Sequence, residues 1–199
     1  MGHTATTLTA LDISDYLVAS VDVESGDNIT PLKLQKLLYY AQGFHVAMHD
    51  GAPLFSESIL AWKHGPVVKR VYNHYSDLAY HPIDHKKVDV HKYAPEDREL
   101  LDAVYSTYGQ FGAWKLEAMT HEESPWVKTR PQAVISLDLM MDYFVPMVQA
   151  GQYGEAVGDR PVWPTHSFRF QRRKELACRK SAHRSRLKAM ARHGSIDGD

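Results

Sequence analysis

The segment from residue 31 to residue 48 limits the folds open to this chain more than any other segment. Thr30 is typical of a helix N-cap, and Pro31 is tolerated at the next position because its missing N–H would have no intrahelical partner there. At about 100° per residue, apolar side chains cover most of the helix circumference, and only part of one side is polar. Such a helix needs neighbours on several sides. We therefore predict that it is the buried centre of a helical domain.

Further helices are predicted from capping residues, from prolines at first helical positions and from apolar periodicity. These signals place helices over residues 9–21, 66–75, 95–108, 113–119, 124–128 and 137–148. Alternating residues predict short strands at 88–90 and 133–135, which we expect to pair as a ribbon. The segment 54–63 fits either a strand or a helix. The expected fold is mainly α, a compact helical domain around the central helix, with a small two-stranded β ribbon.

The charge of the chain divides it into two parts. Residues 1–159 hold 12 Lys and Arg against 21 Asp and Glu, whereas residues 160–199 hold 11 against 3, which gives net charges of −9 and +8. Glycines and prolines between the two parts are typical of a linker. We predict a domain at 9–149, a linker at 150–167 and a basic helical extension at 168–199, whose thin apolar line cannot support an isolated helix.

The motifs of several enzyme classes are missing from the sequence. It has no Gly-x-x-x-x-Gly-Lys phosphate loop, no Gly-x-Gly-x-x-Gly turn and no Gly-x-Ser-x-Gly turn. His121 begins a segment like that of zinc proteases, but Pro125 occupies the place of the second histidine. His81, His85 and His91 lack a recognisable further metal ligand. We expect no catalysis, no metal and no cofactor.

The compartment is also suggested by the sequence. Cys178 is the only cysteine, so no disulfide can form within one chain. No apolar run approaches the roughly 18–20 residues that a membrane span needs, and the first residues lack the basic and apolar regions of a signal peptide. We therefore expect a soluble cytoplasmic protein without a membrane partner.

Three ordered motifs resemble the Panacea domain family. The first is ITPLKLQKLLYYAQGFH at residues 29–45, the second is AWKHGPV at residues 61–67, and the third is LEAMTHEESPW at residues 116–126. With these three blocks in this order, the resemblance extends from about residue 9 to about residue 149. The family includes the SocA-type antitoxins, so the resemblance implies a protein without turnover chemistry.

The resemblance also implies a partner. It predicts an antitoxin that neutralises a cognate protein toxin, encoded nearby, by direct binding. SocA-type members suggest an alternative, a proteolytic adaptor that delivers its toxin for degradation. A different alternative comes from the composition of the extension, because residues 168–192 carry ten Lys and Arg against one acidic residue and would suit a nucleic-acid-binding regulator. Self-association is also left open.

The partner-binding surface is predicted from aromatic rings that lie beside cationic residues, since these residue types dominate binding energy at protein interfaces. Trp114 and Trp126 fit a core position as well as a surface position. The predicted contact residues are Lys33, Lys36, Tyr40, Trp62, Lys63, His64, Gly65, Pro66, Val67, Tyr72, Arg172, Arg173, Arg179 and Lys180.

Overall fold

The computed structural model describes residues 8–24 and 26–152. Within these ranges the protein is mainly helical with a small antiparallel sheet, which confirms the predicted fold class. The predicted extension at 168–199 and most of the predicted linker lie outside the described residues. The elements in chain order are α1 (Ala10–Ala19), α2 (Pro31–Met48), β1 (Ile59–Trp62), β2 (Gly65–Val68), α3 (Lys69–His74), two 3-10 turns (Ser76–Leu78 and Val90–Lys92), α4 (Pro95–Tyr108), α5 (Ala113–His121), α6 (Ser124–Val127) and α7 (Leu137–Gln152).

The α2 helix is the centre of the fold, as its apolar circumference predicts. Every residue from 33 to 46 is buried, and the helix packs against α1, α3, α4, α5, α7 and β2. A Cβ atom at Gly43 would overlap the ring of Phe144, so the absence of a side chain there lets α7 pack closely against α2. In the part of the chain that the structure describes, no helix is long and apolar enough to cross a membrane.

The starts of the first two helices follow their predicted caps. The Thr9 hydroxyl accepts a hydrogen bond from the Asp12 N–H, and the Asp12 carboxylate accepts one from the Thr9 N–H at 2.8 Å, which completes a capping box. The Thr30 hydroxyl accepts from the Lys33 N–H at 3.3 Å, and Pro31 is the first residue of α2. Both predictions are confirmed because caps depend on residues within one turn of the chain.

The sheet corrects two predictions. Pro66 does not start a helix: β1 and β2 form a hairpin in which Ala61 pairs with Pro66, and α3 begins only at Lys69. Gly65 has a φ of +91°, which sets the chain direction after the two-residue loop at 63–64 and which a non-glycine residue rarely adopts.

The predicted pairing of residues 88–90 with residues 133–135 is wrong, because residues 88–90 are not the partner of 133–135. The Ile135 N–H donates to the Ile59 carbonyl at 2.8 Å, and the Ala61 N–H donates to the Ala133 carbonyl at 2.9 Å, so 133–135 pairs with β1 instead. Residues 87–90 remain half-buried or exposed, and 90–92 form a 3-10 turn. The alternating residues at 87–90 bury no side of a strand, so nothing stabilises a strand there. Residues 133–135 are stabilised instead by hydrogen bonds to β1.

Candidate functional site

Aromatic and cationic side chains gather around the tip of the β1–β2 hairpin. We call this set the aromatic surface. It combines the hairpin tip with one residue of α3, two of α5 and one of α6. Its members are Trp62, Lys63, His64, Tyr72, Trp114, His121 and Trp126.

One half of the aromatic surface is linked through Trp62. The Trp62 ring lies 5.0 Å from the Tyr72 ring in an edge-on contact. The indole N–H of Trp126 donates to the Trp62 carbonyl at 3.0 Å, and the His121 ring lies 4.1 Å from the Trp126 ring. Because these contacts join β1, α3, α5 and α6, the rings keep fixed positions relative to one another.

The other half is linked through the hairpin loop. Nε2 of His121 lies 3.0 Å from the Lys63 carbonyl oxygen, which can only accept, so the hydrogen must be on Nε2. Nδ1 of His64 lies 3.0 Å from an oxygen of Glu117, and the His64 ring lies 6.4 Å from the ring of Trp114. Trp114 is 72% exposed, the largest exposed ring of this surface. These contacts hold both loop residues against one face of α5.

Lys36 of α2 supports the hairpin from inside. Its side chain is fully buried, and its ammonium donates to the Pro66 carbonyl at 3.2 Å. A Cβ atom at Gly65 would lie 2.8 Å from Nζ of Lys36 and 2.8 Å from Oγ1 of Thr120. The hairpin can therefore approach α2 and α5 this closely only with glycine at position 65.

The charge of Lys36 is destabilised by its surroundings. Burial lowers the pKa of its ammonium from 10.5 to about 7, and the negative charge of Glu117 opposes this shift only in part. The second carboxylate oxygen of Glu117 is buried and has no hydrogen-bond partner among the described residues. Beneath the hairpin, a buried amine thus lies near a carboxylate that is linked to His64 at the surface.

Other polar residues of α2 also hold neighbouring segments. The side-chain oxygen of Gln35 accepts a hydrogen bond from the Val68 N–H at 2.7 Å. This bond satisfies a backbone group at the edge of β2 that faces away from β1. The Gln42 side-chain oxygen accepts from the Leu54 N–H at 2.9 Å, and its amide donates to the Phe55 carbonyl at 3.1 Å. These bonds explain why a buried helix contains glutamines. Gln42 satisfies backbone groups that precede β1, and Gln35 satisfies one that follows it.

Tyr40 has a comparable role toward α6. Its hydroxyl donates to the Glu123 carboxylate at 2.9 Å, directly before α6, and its ring stacks on Tyr108 at 3.8 Å. The Tyr40 side chain is fully buried. It therefore fixes the start of the helix that carries Trp126.

The predicted contact residues fall into three groups. Trp62, Lys63, His64 and Tyr72 are at the surface, although Trp62 is half-buried. Buried residues of the prediction lie beneath them or farther along α2: Lys33, Lys36, Tyr40, Gly65, Pro66 and Val67. The third group, Arg172, Arg173, Arg179 and Lys180, lies outside the described residues.

The three predicted contact residues on α2 are buried along with most of that helix. Lys36 and Tyr40 do not reach the surface, because their polar atoms bond the hairpin and α6. Lys36 and Tyr40 would therefore affect partner binding only indirectly, by fixing the positions of the hairpin and of α6. Lys33 is likewise turned inward, where its ammonium donates to the Asp27 carboxylate at 3.2 Å and to the Asn28 carbonyl at 3.1 Å.

Two residues of α5 were not among the predicted contacts. Trp114 is exposed, so a core position is wrong for it, and Glu117 links His64 to the interior. The spacing of 114, 117 and 121 places these side chains on one helix face, and this signal was available in the sequence. Across residues 8–24 and 26–152, no three His, Cys, Asp or Glu side chains are grouped as metal ligands would be.

The aromatic surface lies within a range that matches a known family. The model described as antitoxin SocA-like, Panacea domain, matches residues 34–127, which extend from α2 to the end of α6. No curated protein matches the chain, and no solved structure matches it. The resemblance seen in the three motifs is thereby confirmed: residues 34–127 match the model of the SocA-like Panacea domain family.

Proposed function

We propose that this protein is an antitoxin that neutralises a cognate protein toxin by direct binding. The family match at residues 34–127 supports a role in a toxin–antitoxin system. The observation that carries the binding part of the proposal is the aromatic surface, where Trp114 is 72% exposed beside a hydrogen-bonded hairpin. Large aromatic side chains on a fixed backbone are residues that dominate the binding energy at protein interfaces.

In this proposal the protein acts by occupying a surface of the toxin and turns over no substrate. The interior groups that could attract attention as catalytic residues have structural partners. Lys36 donates to the Pro66 carbonyl, and Tyr40 donates to the Glu123 carboxylate. Their positions fix the hairpin and α6, which present the aromatic rings. The toxin would be encoded by a neighbouring gene.

Co-expression with the neighbouring gene tests the proposal. We expect the neighbouring product to stop growth when expressed alone, and growth to return when this protein is expressed with it. Copurification of the two proteins then tests direct binding. A neighbouring product that is harmless alone, or that remains toxic beside this protein, would contradict the antitoxin assignment. Toxin levels followed over time separate occupation from delivery to a protease, because only delivery makes the toxin disappear.

A pair of aromatic substitutions tests the surface itself. Trp114→Ala should weaken toxin binding by roughly 30-fold or more, since truncating a central aromatic residue at an interface costs about 2 kcal/mol or more. Tyr80→Ala is the matched control, because Tyr80 is 78% exposed, lies outside the aromatic surface and pairs its ring with that of His81. Equal effects of the two substitutions in a titration-calorimetry measurement would assign binding to a different surface.

A second candidate function rests on the composition of the extension. Ten Lys and Arg against one acidic residue in 168–192 suit a segment that binds nucleic acid. Such binding should weaken by roughly 10³-fold between 50 and 200 mM salt if about six phosphates are contacted. A mobility-shift assay with duplex DNA and with RNA tests this candidate, and the absence of any shift at low salt would remove it.

A further inference from the structure

The charge around the aromatic surface is opposite to that of the remaining domain. Residues 60–75 and 113–134, which carry this surface, hold 6 Lys and Arg against 3 acidic residues. The other described residues hold 6 Lys and Arg against 16 acidic residues. Half of the described cationic residues therefore lie in two short segments around one surface of an acidic domain.

The cationic residues of the two regions also differ in pairing. Of the six away from the surface, Lys33 pairs with Asp27, Lys86 with Asp15 and Lys92 with Asp12. Lys36 and Arg98 are not exposed, and only Lys87 is both exposed and without a salt bridge among the described residues. Around the surface, only Arg70 is paired, with Glu57. Five others are exposed and form no salt bridge with any residue that the structure describes: Lys63, Lys69, Lys115, Lys128 and Arg130.

The acidic residues of these segments do not compensate for the exposed cations. Glu117 faces inward, with its side chain 13% exposed and one oxygen beside His64. Glu123 is buried and accepts from Tyr40. Only Glu122 is exposed. In addition, Lys69 is the first residue of α3, where its positive charge opposes the helix dipole.

Exposed apolar side chains occur in the same two segments. Trp114 is 72% exposed, Val127 58%, Val134 54% and Tyr72 44%. Three of them stand beside cations along the chain: Trp114 precedes Lys115, Val127 precedes Lys128, and Tyr72 follows the Lys69–Arg70 pair. A partner that covers this surface must therefore supply both apolar side chains and negative charge.

We propose that the aromatic surface binds an acidic segment of the partner protein. Carboxylates of that segment pair with Lys63, Lys115 and Lys128, while its apolar side chains cover Trp114 and Val127. This inference rests on the proposed function and adds the chemistry of the partner to it. Complementary charge of this kind mainly accelerates encounter and selects the partner, while the aromatic contacts supply most of the binding energy.

A protein partner fits these observations better than a nucleic acid. A nucleic acid would need several exposed rings on which successive bases stack, but Trp62 and Trp126 are half-buried and held edge-on or by hydrogen bonds. The 16 acidic residues of the surrounding domain would also repel a long polyanion. A short acidic protein segment avoids both difficulties because its charge is confined to the surface that it covers.

Charge-reversal variants of the full-length protein test the proposal, with the toxin identified by co-expression as the probe. Lys115→Glu should weaken binding roughly 3- to 10-fold, mainly through a slower association rate, and should flatten its dependence on salt. The combined Lys63→Glu, Lys115→Glu and Lys128→Glu variant should weaken binding roughly 100-fold. Lys87→Glu is the matched control, because Lys87 is exposed, forms no salt bridge within the described ranges and lies outside the two segments that carry this surface.

Two further measurements make the result decisive. The corresponding Lys→Arg triple variant should bind like the unmodified protein, because the charge is retained. A 20-nucleotide single-stranded RNA should bind the Lys→Glu triple variant and the unmodified protein equally, since the extension is the same in both. If the triple variant loses RNA binding but keeps toxin binding, the surface recognises nucleic acid and the proposal is wrong.

The outcomes also separate this inference from the proposed function. If Trp114→Ala reduces toxin binding and the Lys→Glu triple variant does not, the surface binds the toxin without charge recognition. The antitoxin assignment then stands and the acidic-segment inference fails. If the unmodified protein does not bind the product of the neighbouring gene at all, both fail together.

Discussion

Lysine and aromatic residues occur in two regions of this protein with opposite surroundings. In α2, Lys36 and Tyr40 are fully buried, and each donates to an oxygen of a segment distant in sequence. At the aromatic surface, Lys63 is exposed and Trp114 is 72% exposed. The same residue types therefore hold the domain together in one region and are exposed to solvent in the other.

The comparison shows that acceptor groups, more than residue type, decide the role of these side chains. A buried amine or hydroxyl is tolerated where a carbonyl or carboxylate satisfies it, because an unsatisfied buried polar group costs about 1–3 kcal/mol. The exposed side chains have no such intramolecular acceptors in the described part of the chain. The two regions should consequently respond differently to substitution, in stability for one and in binding for the other.

The largest expected difference is between two aromatic truncations. Phe44→Ala should lower the free energy of unfolding by about 3–5 kcal/mol, because Phe44 is fully buried and packs edge-on against Phe144 at 4.9 Å. Trp114→Ala should change the free energy of unfolding by no more than about 0.5 kcal/mol, as expected for an exposed position. Urea denaturation followed by circular dichroism measures both. A strongly destabilising Trp114→Ala would remove the distinction between the regions.

The charge of Lys36 should make stability depend on pH. The unfolded chain keeps this lysine protonated up to about pH 10.5, whereas the folded protein loses the proton near pH 7. Between these values the unfolded state binds more protons, so stability rises with pH by up to about 1.4 kcal/mol per pH unit. Urea denaturation at pH 7, 8 and 9 should show this slope, and Lys36→Met should remove it.

The pH series stops at 9 because tyrosines with raised pKa values act in the opposite direction above pH 10. Burial, together with Asp102, raises the pKa of Tyr16 to about 12, so stability from this residue is lost where the unfolded tyrosine ionises. Parallel pH profiles for the unmodified protein and Lys36→Met would mean that Lys36 remains charged in the folded protein.

A smaller effect is expected where the interior meets the hairpin. Gly65→Ala should destabilise the protein by about 2–3 kcal/mol, because it combines a positive φ with a close approach to Lys36 and Thr120. Gly26→Ala is the matched control, since Gly26 has a φ of +79° but no atom within 4 Å of an added Cβ. It should cost only about 1 kcal/mol from backbone strain. Equal losses in thermal melts would show that the space beneath the hairpin is not limiting.

Local signals in the sequence predict much of this fold. The start of α2 follows from Thr30 and Pro31, and its burial follows from apolar residues around its circumference, because both depend on neighbours within a few turns. The hairpin was not predictable in the same way. Its strand at Gly65–Val68 depends on β1 and on acceptors and donors that α2 supplies from about 30 residues away.

The candidate site shows the same division. Trp62, Lys63 and His64 lie near one another because they are consecutive in sequence. The burial of Lys36 was not predicted, since a lysine normally faces solvent and its acceptor, the Pro66 carbonyl, is identified only by the folded structure. Residues far apart in sequence thus determine which cationic side chains remain exposed.

The smallest expected effect concerns Trp126, which lies between the two regions. Trp126→Phe keeps most of the apolar contact with His121 but removes the indole N–H that donates to the Trp62 carbonyl at 3.0 Å. We expect a loss of about 0.5–1.5 kcal/mol in the free energy of unfolding, the usual contribution of one hydrogen bond. Trp114→Phe is the matched control, because the Trp114 indole N–H has no acceptor among the described residues, and it should stay within about 0.5 kcal/mol of the unmodified protein. Amide hydrogen exchange should also become faster in the hairpin of Trp126→Phe alone. If Trp126→Phe leaves both stability and exchange unchanged, the Trp126 side chain does not stabilise the fold, and it should be grouped with the exposed residues of the aromatic surface.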